Sequence, residues 1–239
     1  MRIALISPNL DPEKPDTHLR ALAHWTEQMH AGHELLLFPR IDLPDPGKLV
    51  QATDALSALS RKRHARIATV LNTARNDHKQ QTVILAERNG QIDARSHILP
   101  AESNNMHSAA PLVTTTIEGL HVGLTNAESL MTSTLRADAQ LARLHILCVP
   151  LRFAGEPDET GRINADRSPR RLAELIETLA EIAREMQLVL IASNSIGPDT
   201  PEKCGPCGGA WVYGPDGLRL AEIPILQEKS VTFTFDGDL

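Results

Sequence analysis

The chain has 239 residues, 41% hydrophobic and 23% charged, enough to bury the core of one large α/β domain and incompatible with wholesale disorder. A net charge of −6 and a pI near 5.9 argue against nucleic acid or an anionic membrane as the main partner. No apolar run approaches the ~20 residues of a membrane span. The sequence opens without a basic leader and cleavage site, and three cysteines make no disulfide framework, so a cytoplasmic setting is expected.

In chain order, Ile3 to Ile6 reads as a short buried strand stopped by Pro8. Asp16 is placed to N-cap a helix whose Leu19, Leu22, Thr26 and Met29 share one face, with Gly32 ending it. Glu34 to Pro39 reads as a second buried strand, Leu49 to His64 as a helix with Leu56 and Leu59 inside, and Ile67 to Leu71 as a third strand. Thr82 to Glu87 and Gln91 to Ile98 flank Asn89-Gly90, a strong hairpin signal. Leu120 to Leu124 is a strand, Leu130 to Leu144 a short helix and Ile146 to Val149 an apolar strand. Leu172, Leu175, Ile176, Leu179, Ile182, Ala183 and Met186 recur at helical spacing and define a second long helix. Leu188 to Ala192 is a strand. Trp211 to Tyr213 pairs with Leu218 to Glu222 across Gly214-Pro215-Asp216-Gly217, and Val231 to Phe235 alternates as a closing strand.

Two halves thus each carry a strand, a long helix, a strand and a hairpin. The helices are too few to cover both faces of one wide sheet, so two sheets packed face to face with helices outside are expected, as one domain over 1–239. The alternative is an ordinary doubly wound sheet.

The punctuation adds a resemblance. Leu37-Phe38-Pro39, the hairpin with Gly90 at its tip running into Ile98-Leu99-Pro100, Val122-Gly123-Leu124, Cys148-Val149-Pro150, Ala192-Ser193-Asn194-Ser195-Ile196-Gly197, Gly208-Gly209 and Gly214-Pro215-Asp216-Gly217 follow one another in a set order. That order and spacing resembles the carbon–nitrogen hydrolase (nitrilase) superfamily across essentially the whole chain. The resemblance implies a four-layer αββα sandwich and a dimer that packs helices against helices.

It also implies three catalytic residues for cleaving amides or nitriles. These are a general-base Glu after the Pro of the second strand, an oxyanion-stabilising Lys just before the segment after the hairpin, and a nucleophilic Cys four residues beyond a strand-ending Gly. A thiol must be deprotonated to attack, and the tetrahedral oxyanion needs a positive donor. At these positions the sequence carries Arg40, Ser96 and Ala127. A methyl group cannot attack a carbonyl, and an always-protonated arginine cannot act as a base at neutral pH.

Substitutes are scarce. Ser129, two residues past the vacant nucleophile position, would need His97 or His107 as its base; the plainer reading makes Ser129 the N-cap of the next helix and Glu128 an acidic neighbour of its positive end. The resemblance places a further Glu near Glu102, whose other reading is an exposed loop carboxylate. Arg152 adds a second cation, and a buried guanidinium should find Glu102, Glu128 or a ligand anion.

Cys204-Gly205-Pro206-Cys207 matches a dithiol redox motif, but such a motif belongs at a helix N-terminus and here glycines and a strand follow. A zinc knuckle would need a second pair, and Cys148 sits on an apolar strand. The ten histidines share no ligand spacing, and Arg61-Lys62-Arg63 reads as a solvated helix end. No phosphate loop or dinucleotide fingerprint is present, so neither metal nor cofactor is expected.

The sequence therefore predicts a nitrilase-type fold without the catalytic triad, acting in binding, regulation or assembly as a homodimer or a mixed oligomer with an active paralogue. Its pocket is either closed by an internal salt bridge or open to a small carboxylate. The alternatives are an atypical amide hydrolase using Ser129 and, more weakly, a dithiol redox protein using Cys204 and Cys207.

Overall fold

A computed structural model describes residues 1–11, 14–43, 45–75, 78–99, 112–131, 133–153, 169–198 and 206–235. The first sheet contains β1 (Arg2–Ser7), β2 (Leu35–Leu37), β3 (Ile41–Asp42), β4 (Arg66–Arg75), β5 (His78–Ala86), β6 (Ile92–Leu99) and, returning from the end of the chain, β13 (Lys229–Thr234). Its order is β13-β1-β2-β4-β5-β6, with β3 also beside β4. The second sheet has the order β12-β11-β10-β9-β8-β7, from β7 (Val113–Ile117), β8 (Leu120–Leu124), β9 (Ile146–Pro150), β10 (Val189–Ser193), β11 (Gly208–Tyr213) and β12 (Arg219–Ile225). The helices are α1 (His18–Gln28), α2 (Lys48–Arg63), α3 (Ser133–Leu141) and α4 (Pro169–Met186).

Strand periodicity turns this order into four layers. On β1, Ile3 and Leu5 face the second sheet, meeting Val122, Leu124, Ile146, Val189, Ile191 and Val212 among others. Ala4 and Ile6, on the opposite face, pack with Phe38, Ile67 and Ile84 against Leu22 of α1 and Leu56 of α2. The second sheet repeats the arrangement: Leu147, Val149, Leu190 and Trp211 face outward onto Leu135 of α3 and Leu179, Ile182 and Ala183 of α4. The result is the expected αββα sandwich, with three apolar seams between four layers.

Several local features differ from the sequence reading. Asp16 does not cap α1: Pro15–Thr17 form a 3-10 turn, Thr17 is the N-cap but its hydroxyl donates back to Lys14 O and not to the helix, and the Asp16 carboxylate meets Lys48. α1 stops at Gln28 because Met29 turns extended (ψ 136°), four residues before Gly32. The β5–β6 hairpin turns through Arg88, Asn89 and Gly90, the three residues left between the expected strand ends Glu87 and Gln91. Gly90 N donates to Glu87 O at 2.7 Å, Glu87 N to Gln91 O at 2.8 Å, and Gly90 takes the left-handed φ of 85° that closes a type I turn with a bulge.

Two strands were missed. β7 shows only Val113 and Ile117 fully buried, with three threonines between them, and it joins β8 through Glu118-Gly119. Both turn residues have positive φ (52° and 84°), the two-residue hairpin geometry favoured by strand twist. β3 is only two residues long and pairs in parallel with β4.

The parallel strands β1, β2 and β4 and, in the other sheet, β8, β9 and β10 present their C-terminal ends at one rim. There the sheets are stitched together: Leu10 N donates to Ile196 O (2.7 Å), Ile196 N to Pro8 O (2.9 Å), Arg40 N to Leu151 O (3.0 Å) and Ser193 Oγ to Ile6 O (2.6 Å). Ligands of open α/β sheets bind beyond such carboxyl ends.

Candidate functional site

The inward-facing row of the first sheet changes character at this rim. Ala68 and Val70 of β4 line the core, and Asn72 follows in the same phase; on β5 the phase runs from Leu85 and Val83 to Gln81. Asp42, Asn72 and Gln81 are register neighbours across β3, β4 and β5, and Asn72 Nδ2 donates to Asp42 Oδ1 at 2.9 Å. From the second sheet, β8 ends at Leu124 and Asn126 follows in its inward phase.

These polar positions hold two ion pairs. Arg40, just past β2, donates from Nη1 to Glu128 Oε1 at 2.5 Å. Gln81 Nε2 donates to the same oxygen at 2.9 Å, and Asn126 Nδ2 donates to Gln81 Oε1 at 2.6 Å. Arg40 Nε and Glu128 Oε2 are buried without a hydrogen-bond partner, so the contact is single-pointed, not a bidentate fork. Burial pushes the Glu128 carboxyl up, but the Arg40 charge and the Gln81 amide outweigh it and hold it below the usual carboxylate value. Arg152, past β9, pairs with Asp42. Burial, with the like charge of Arg40, lowers its guanidinium to about 10, so it stays charged at neutral pH and needs that acid.

The segment after β8 explains why Glu128 points here. Ala127–Met131 form a 3-10 turn with Glu128 in its first turn. Asn126, not Ser129, caps it: the Ser129 N–H donates to Asn126 Oδ1 at 3.0 Å, and Ser129 is itself inside the turn and 5% exposed. Ala127 is half-buried beside the pair.

Ser96 stands elsewhere. It is opposite Thr82, with their hydroxyls 2.9 Å apart, and Thr82 shares the phase of Ile84, which faces the α1–α2 layer. A strand's side chains alternate, so Ser96 is on the face turned away from Gln81; the β6 residue opposite Gln81 is His97, and Arg95 shares its phase. Arg95 is exposed. Glu102, His107 and Cys204, and the side chain of His97, lie outside the described residues.

The rim also recruits His18, whose ring nitrogens lie 2.8 Å from Asp11 O and 3.2 Å from Asp42 O. Burial lowers its pKa. Cys207 is buried at the start of β11, where desolvation drives its thiol up to about 11, opposite to the lowered pKa that dithiol chemistry requires. Cys148 lies between the sheets, its thiol pushed to about 12. No group of three metal-ligating side chains occurs among the described residues, and among them no helix is long and apolar enough to cross a membrane. Gln81, Asn126, Asp42 and Asn72 were not anticipated as site residues; their signal was a polar residue in the inward phase of an apolar strand.

No protein-family model and no curated protein matches the sequence. Solved structures do. A cysteine-to-alanine mutant of the Nesterenkonia AN1 amidase from the nitrilase superfamily superposes with a TM-score of 0.72 at 22% identity, covering 97% of this chain and 89% of that one. A glutamate-to-glutamine mutant of the Nesterenkonia sp. AN1 amidase, bearing the Michael adduct of acrylamide at its active-site cysteine, gives 0.73 at 21% identity, with 100% and 94% covered. A cysteine-to-alanine mutant of that amidase in complex with butyramide gives 0.73 at 22% identity, with 97% and 89% covered. The chain has the fold of the nitrilase-superfamily amidases over its whole length.

Proposed function

We propose that this chain is a nitrilase-superfamily homologue that no longer cleaves carbon–nitrogen bonds and that serves in binding or assembly, an active paralogue being a candidate partner. The observation that carries the proposal is the Arg40–Glu128 pair beside Ala127. Where the resemblance calls for a base and a thiol, the rim holds a guanidinium already neutralised by a carboxylate and, next to it, a methyl group. A carboxylate held below its ordinary pKa by an arginine is a poor proton acceptor at neutral pH, and an alanine cannot form an acyl intermediate.

The register of β6 refines the third position. Arg95 shares the strand phase of His97, the residue opposite Gln81, so we read the loss of the cation as the weakest part of the comparison and the losses of base and thiol as the strongest. Self-neutralisation also favours the closed form of the pocket over a small-carboxylate site, because an incoming carboxylate must displace Glu128.

The test is a hydrolysis screen with acrylamide and butyramide, reading ammonia release and intact mass. Expected are background rates, no adduct, and no heat on titration with acetate or succinate. A covalent adduct on any rim side chain, Ser129 included, overturns the proposal.

A further inference from the structure

Of the four sheet edges, β6 is the only one among the described residues that is long and unobstructed. β12 carries Pro224, β7 is buried at both its ends and bears no charged residue, and β13 starts at the exposed Lys229 and lies against β12 at the turn between them. β6 has eight residues without proline or glycine and pairs with β5 in unbroken register from Ala86↔Ile92 to Lys79↔Leu99. Among the described residues no strand pairs with its outer side. Asp93, Ala94, Arg95 and Ser96 are exposed in succession.

Free edges are normally blunted by like charges, proline or bulges. This edge instead bears opposite charges two residues apart, neither in an ion pair among the described residues. We propose that β6 is a two-fold contact surface for a second copy of this chain, the two strands pairing antiparallel around Ala94. In that register Asp93 lies opposite Arg95 of the partner subunit, and the symmetry makes the contact twice, on one face, as an isologous interface requires. The neighbouring registers are disfavoured: a centre at residue 93 sets aspartate against aspartate, and a centre at residue 95 sets arginine against arginine. Among these three registers the charges therefore favour the one about Ala94. Paired in this way, the first sheets of two copies become continuous across the axis.

Charge reversal tests the pairing, with particle mass followed over concentration by light scattering. The wild type is expected to show a doubling step in mass, monomer to dimer or, should the helices already pair two copies, dimer to tetramer. Asp93→Arg and Arg95→Asp each put like charges opposite one another twice, and each is expected to weaken that step about tenfold or more. The double reversal is expected to restore it. In a Cys204→Ser background, Ala94→Cys should form a disulfide with its own copy, because residues facing each other across an antiparallel pair have Cα atoms about 4.5–5.5 Å apart; Ser96→Cys should not. No doubling step, a step indifferent to the single reversals, a double reversal that fails to rescue, or equal crosslinking at 94 and 96 overturns the proposal.

Discussion

The space between the sheets and the rim above it are built by the same strands, one period apart. Val70 and Val83 close a dry seam, while Asn72 and Gln81, next along the same face, belong to a network with two arginines and two acids. In the seam, stability comes from area removed from water and is indifferent to pH. At the rim each charge is tolerable only through its partner, so the balance depends on both partners and on protonation. One fold thus carries a region that resists substitution by volume and another that resists it by charge.

The largest effect should come from the seam. Leu5→Ala or Ile191→Ala removes a fully buried side chain and should cost about 2–5 kcal/mol in urea unfolding. Next, Glu128→Gln strands the Arg40 charge. Because Glu128 is one-third exposed, the expected loss is about 1–3 kcal/mol, and Arg40→Met combined with Glu128→Gln should recover most of it; failure to recover would break the contrast between the two regions.

The pH dependence follows from the lowered Glu128 carboxyl. The unfolded chain takes up that proton first, so the pair's contribution is whole above about pH 4.3 and is lost as pH falls through the lower folded value. The gap between wild type and Glu128→Gln should therefore narrow on acidification below that point, and Leu5→Ala should show no such narrowing. Smallest in energy but sharp in outcome, a Cys204→Ser variant should expose no thiol to a disulfide reagent at pH 8 until urea is added, when Cys148 and Cys207 react together.

The fold was legible where periodicity was strong. The unbroken apolar run of β1 reports a strand buried on both faces, the i, i+3, i+4 spacing of α4 reports one buried face, and two sheets follow from too few helices. β7 was hidden because Thr114, Thr115 and Thr116 carry no apolar alternation of their own. The site was half legible. Arg40 could be singled out as a buried cation in need of an acid, yet the sequence offered Glu102 and Glu128 alike, and only the turn capped by Asn126 aims Glu128 at Arg40 across 88 residues. Ser96 lies on the face of Thr82 and Ile84, away from Gln81, because side-chain direction in a strand reverses with every residue, which residue spacing alone does not fix.

The four hydrogen bonds that join the sheets near Ile6, Leu10, Arg40 and Ile196 make the rim a hinge line for the whole sandwich. Breathing motions that part the two sheets must open from the far end, where Thr115 Oγ1 to Glu87 Oε1, at 2.8 Å, is a side-chain bridge between them. The amides of Leu10, Arg40 and Ile196 should then be among the last to exchange with deuterium, although they lie next to solvent.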